Sequence, residues 1–148
     1  MRRAAIYATF LLAVLGIGLL IGTVTRPDGW YAALAKPSFN PPNWVFAPVW
    51  TVLYVLIAIA GARTFERGAG GSDHWLAQMA LNFAWTPVFF GLHRPGLALA
   101  IILALLVAIL AFIATRWRAD RTAALLFVPY AAWVAFAGVL NAAIVALN

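Results

Sequence analysis

No cysteine occurs in the 148 residues, so disulfides, thiolate metal sites and cysteine nucleophiles are excluded, while the redox compartment is left undetermined. Charge is nearly as scarce. Only 9% of the residues are Asp, Glu, Lys or Arg, against about 25% in ordinary soluble domains, while 66% belong to the hydrophobic set. A soluble core of this size could not bury so much apolar surface. No Asp, Glu, Lys, Arg or His falls inside any of the long apolar runs, which disfavours a proton- or sodium-coupled pump, because such pumps use intramembrane ionisable groups. The two histidines, His74 and His93, bracket the third run, too far apart for one metal site, and this also disfavours a haem held permanently by an axial histidine within the bundle. No nucleophile, base and orienting group converge, so no catalytic or metal-ligating residue is assigned, and the chain reads as a binding protein rather than a conventional enzyme.

What is present is apolar sequence almost from end to end. Five uncharged runs, Ala4 to Thr25, Phe46 to Ala62, Trp75 to Leu92, Pro95 to Thr115 and Thr122 to Asn148, match the roughly 17–25 helical residues needed to cross a bilayer core. The expected fold is therefore all-α: one polytopic membrane domain over residues 1–148, with five transmembrane helices at about 4–25, 45–63, 75–92, 95–116 and 122–146. Its first run follows a basic start, but it is long and lacks a small-x-small cleavage site, so it reads as a retained helix and not a signal peptide. The net charge of +6 sits between the runs, where it suits orientation and anionic headgroups rather than nucleic acid. Seven arginines (Arg2, Arg3, Arg63, Arg67, Arg116, Arg118, Arg121) fall on the amino-terminal side and Arg26, Lys36 and Arg94 on the other, which predicts a cytoplasmic amino terminus and an outside carboxyl terminus.

Most connections are short, which imposes antiparallel neighbours. The exception is residues 26–44, which contain Pro27, Pro37, Pro41 and Pro42 of the eight prolines. Asp28 can cap a short helix through Leu34 that Pro37 must end, and Pro41-Pro42 forces an extended approach to the second span. This segment is expected to be a structured lid over one end of the bundle.

Polar and aromatic side chains within the membrane should face protein or a cavity, so their helical spacing marks an interior. Three spans carry such a face: Phe46, Trp50 and Tyr54 in the second; Gln78, Asn82, Trp85 and Phe89 in the third, loosened beside it by Pro87; and Tyr130, Trp133, Ala137 and Asn141 in the fifth. The first and fourth spans lack one and read as outer helices, mainly lipid-facing or packing. Trp44, Trp75 and Trp117, at span ends, read as interfacial anchors. Gln78 suits interhelical bonding, and Asn82 suits either interhelical bonding or ligand contact. Trp50, Trp85 and Trp133, well inside their spans, point to a pocket for a flat apolar ligand. Gly18 and Gly22 form a weak G-x-x-x-G helix-contact signal.

Several runs are more specific: Trp30-Tyr31-Ala-Ala-Leu34-Ala-Lys36-Pro37, Pro41-Pro42-Asn43-Trp44-Val45-Phe46-Ala-Pro48-Val-Trp50-Thr51-Val-Leu53-Tyr54, Gln78-Met-Ala-Leu81-Asn82-Phe-Ala-Trp85-Thr86-Pro-Val-Phe89-Phe90-Gly91, Pro129-Tyr130-Ala-Ala-Trp133 and Leu140-Asn141. Together they resemble the translocator protein family, also called tryptophan-rich sensory proteins or peripheral-type benzodiazepine receptors, over nearly the whole chain. The resemblance implies five helices, often paired as a homodimer, with the first long loop closing a pocket. It also implies binding of protoporphyrin IX and haem, of sterols, and of synthetic isoquinoline and benzodiazepine ligands, with no permanent cofactor. Function would then lie in tetrapyrrole transport or regulation and in stress responses, with light- and oxygen-dependent porphyrin degradation or sterol and lipid transport as alternatives. Carried over by motif position, ligand contacts fall on Tyr31, Trp50, Asn82, Trp85, Phe89, Tyr130, Trp133 and Ala137. One departure sets sterols behind porphyrins: the Tyr and Arg that follow the Leu-Asn pair in animal members are replaced here by Ala142-Ala143-Ile144-Val145-Ala146-Leu147-Asn148.

Overall fold

Where no water competes, each backbone N–H must find its partner within its own segment, and the long uncharged runs meet that demand as helices. The computed structural model describes residues 2–68 and 70–148, which are predominantly helical and contain no strand. Helix α1 is Arg2–Val24, α2 is Gly29–Ala33, and α3 is Phe46–Arg67, preceded by a 3₁₀ turn at Asn43–Val45. Helix α4, Ser72–Thr86, continues as a π-helical turn at Pro87–Gly91, and α5 is Pro95–Ala119. Helix α6, Arg121–Leu126, passes through Phe127 into α7, Val128–Leu147.

Among the described residues, four stretches are long and apolar enough to cross a membrane: Arg2–Val24, Asn43–Arg67, Pro95–Ala119 and Arg121–Leu147. The expected third crossing is divided. Helix α4 has 15 residues and then widens at Pro87, whose ring clashes with the preceding turn and which offers no N–H; the Leu92 N–H instead reaches the Pro87 carbonyl at 2.8 Å.

Helix α1 packs mainly against α3, and α5 packs against α4, α6 and α7. Only Val14 and Gly18 of α1 are buried, in keeping with an outer helix. Gly18 allows the contact, since a Cβ there would lie 2.5 Å from the Tyr54 ring. The fourth span, by contrast, is not an outer helix. Ala98, Ile102, Leu105, Ile109, Phe112 and Arg116 of α5 form a continuous buried stripe at alternating spacings of three and four. That stripe is uniformly apolar in an apolar helix until Arg116, which is why it has no polar or aromatic marker. Trp75 likewise departs from the interfacial role expected of it. It is 5% exposed, its indole N–H donates to the Ile57 carbonyl at 2.9 Å, and its ring lies against Gly61, where no Cβ could fit. Trp44 and Trp117 remain exposed.

The turns at this end are tied by charge. Arg116, fully buried, donates from one Nη to the Gly68 and Gly70 carbonyls at 2.7 Å each, and Gly71 (φ 95°) leaves room for its side chain. Asp120 accepts from Arg63 through both carboxylate oxygens, at 3.0 and 2.8 Å, joining the α5–α6 corner to α3.

Candidate functional site

At the opposite end, the segment between α1 and α3 is built from local rules before it meets the bundle. Asp28 caps α2 by accepting from the Tyr31 N–H at 3.3 Å, Leu34 turns extended (ψ 145°), and Pro42 (ψ 149°) carries an extended approach into the 3₁₀ turn. The Tyr31 N–H, together with His93, holds the Asp28 carboxyl below its ordinary range. Four side chains fix the segment. His93, at φ 56°, stacks on Trp30 at 4.3 Å and reaches Asp28 at 3.3 Å. Asn40 donates to the Tyr31 hydroxyl at 3.3 Å, and Lys36 lies over the Tyr31 ring. The Asn148 carboxamide grips the Ala35 backbone, accepting from its N–H at 3.1 Å and donating to its carbonyl at 2.9 Å.

Tyr31 is thereby buried against the π-helical turn, edge-on to Phe90 at 5.1 Å and to Phe89 at 6.1 Å. Trp85 packs on Phe89 at 5.3 Å and donates from its indole to Asn141 Oδ1 at 3.0 Å. Asn141 in turn donates to the Pro95 carbonyl at 2.8 Å, so one amide fixes the indole and the start of α5 together. Tyr31, Trp85, Phe89 and Ala137 line one hollow of about 30 Å³, and Phe46, Asn141 and Ile144 also contribute to its wall.

The other four residues singled out from the sequence lie in an adjoining layer outside that lining. Asn82 donates to the Tyr130 hydroxyl at 2.6 Å, Tyr130 donates to Gln78 Oε1 at 2.8 Å, and Gln78 donates to the Trp75 carbonyl at 2.8 Å. This relay is fully inside the bundle and joins α4 to α7. Trp50 is half-buried against Tyr54 at 5.6 Å and Tyr130 at 6.4 Å. Trp133 packs against Phe46 at 5.9 Å and Phe136 at 5.7 Å, and its buried indole N–H has no acceptor among the described residues. Phe46 joins the two groups, lining the cavity with one side and meeting Trp133 with another.

Asn40, Phe90, Leu140 and Ile144 also line the cavity and escaped the helical-face reading. Phe90 escaped because the π turn, not a regular helix, sets its direction; Asn40 lies in an irregular stretch with no periodicity to read. Among the described residues no group of three or more His, Asp or Glu is placed to hold a metal ion. The cavity is an apolar chamber with a few fixed amides and hydroxyls, a composition suited to orienting an apolar guest.

Residues 9–147 match the TspO/MBR family. The chain is 37% identical to protein CrtK of Rhodobacter capsulatus and 39% identical to a tryptophan-rich sensory protein of Cereibacter sphaeroides; each match covers 97% of this chain and 92% of the relative. It is 40% identical to the translocator protein of Bos taurus, over 88% of this chain and 82% of that one. With its long apolar helices it is an integral membrane protein. Matched over almost its whole length, the chain belongs to the TspO/MBR family.

Proposed function

We propose that the chain is a membrane receptor for porphyrins, protoporphyrin IX and haem among them, and for similar flat apolar molecules, serving tetrapyrrole transport or the regulation of tetrapyrrole metabolism. The observation that carries this reading is the apolar, largely aromatic hollow lined by Tyr31, Trp85, Phe89 and Ala137 beneath a segment held to the bundle by separable polar contacts from His93 and Asn148. A hollow of about 30 Å³ holds about one water, whereas ligand pockets run to about 300–1,000 Å³. The described form has no room for a macrocycle, and in this reading one enters as residues 26–44 swing aside and Phe46 and Trp133 part. Affinity then comes mainly from apolar burial, at about 25 cal/mol per Å² before ordering costs. The unpartnered Trp133 N–H supplies a polar contact to the guest, and Asn82, committed to Tyr130, steadies the layer behind it.

In the same reading α4 and its π turn complete a fifth crossing, the amino terminus is cytoplasmic, and the chain sits in the cell membrane as a homodimer. The test is titration of the purified protein in detergent with protoporphyrin IX, following tryptophan emission and the porphyrin spectrum. Saturable quenching with a shifted porphyrin band is expected, and Ala137→Leu, which fills the hollow, should abolish it. Non-saturable quenching, equal in both proteins, would defeat the proposal.

A further inference from the structure

A second hollow, of about 380 Å³, opens at the far end of the molecule, lined by Arg2, Arg3, Ile6, Phe65 and Glu66. Phe46 lines the first cavity and Phe65 the second; 19 residues of one helix, at about 1.5 Å each, put roughly 30 Å between them, the thickness of a bilayer's hydrocarbon core. The second hollow thus lies at the depth of lipid headgroups. Its apolar floor is Ile6 and Phe65, and Phe65 is backed by Phe10 at 5.2 Å and by the buried Trp75 at 6.0 Å. Its rim is cationic. Arg3 is 79% exposed and donates to Glu66 at 2.7 Å, while Arg2 has no acidic partner among the described residues.

We propose that this hollow binds an anionic phospholipid, with the phosphate between Arg2 and Arg3 and an acyl chain laid along Ile6 and Phe65. A soluble phosphate would leave the apolar floor wet, and Glu66 weakens the field that a small anion would need. A lipid satisfies both halves at once: charge above, hydrocarbon below. Glu66 competes with the phosphate for Arg3, so its removal tightens lipid binding.

The test uses the purified full chain in detergent, titrated with dioleoylphosphatidylglycerol or dioleoylphosphatidylcholine, with retained lipid counted by native mass spectrometry. Selective retention of phosphatidylglycerol is expected, weakened about fivefold by each of Arg2→Gln and Arg3→Gln and strengthened about fivefold by Glu66→Gln. Asp73→Asn makes the same charge change at an exposed position on this end, outside the hollow, and should leave affinity within about twofold. Helical content by circular dichroism should be unchanged in all four variants. Equal retention of the two lipids, an Asp73→Asn effect matching that of Glu66→Gln, or displacement of the lipid by glycerol phosphate would each overturn the proposal.

Discussion

Asp120 and Gly61 show how much a single position contributes. Asp120 is 5% exposed, and the hydrogen bond from Arg63 holds its carboxyl below the ordinary value of 3.8. A depressed carboxyl adds stability that is present above 3.8 and lost as the pH falls through the lower folded value. Thermal unfolding in detergent should therefore be level from neutral pH down to about 5 and fall below about 4, with a shallower acid slope in Asp120→Asn. At neutral pH that substitution leaves buried Arg116 and half-buried Arg63 without their counter-charge and should cost about 3 kcal/mol. Gly61→Ala drives a methyl into the Trp75 indole, and a loss of about 1–3 kcal/mol in the same assay is expected. An unchanged melting temperature would show that the indole can move. Neither partnership was legible in the sequence, where Trp75 sits at a span end like an anchor. Its inward turn is dictated by a glycine fourteen residues earlier, across a tight reversal at Gly68, Gly70 and Gly71.

Elements were legible in proportion to how unevenly their residues are marked. The amides and rings of α4 and α7 stand out against an apolar background, so the faces carrying Asn82, Trp85, Tyr130 and Asn141 could be found by spacing alone. Helix α5 buries as regular a stripe, but Ile102, Leu105 and Ile109 look the same inside as out, and only packing tells them apart. The widened turn after Pro87 could be anticipated as a loosening, not as the particular geometry that brings Phe90 beside Tyr31. The capped helix after Asp28 was legible because capping is local chemistry. Asp28→Ala removes both that cap and the partner of His93. Hydrogen exchange across residues 29–34 should accelerate markedly while exchange in α5 and α7 stays as slow as in the native chain. Protection as strong as in the native chain would mean that the grip of Asn148 on Ala35 is sufficient by itself.

At the scale of the whole molecule, the crossing that differs from the other four is the proposed one through α4, whose helix is only 15 residues long. The cysteine-free chain gives a clean background for settling it. Single replacements Ser38→Cys, Asp73→Cys and Arg94→Cys lie at exposed positions. With a membrane-impermeant thiol reagent on intact cells, Ser38→Cys and Arg94→Cys should be labelled and Asp73→Cys only after permeabilisation. Labelling of Asp73→Cys and Arg94→Cys from one side would leave α4 and its π turn within a single leaflet.

The near-absence of free volume beneath Tyr31 has a kinetic consequence. If the guest must wait for the covering segment to lift, the observed rate of complex formation will climb with porphyrin concentration only to a plateau, the opening frequency of the segment itself. Under the proposed receptor function, beyond that plateau the protein, and not the supply of pigment, would set the pace of capture.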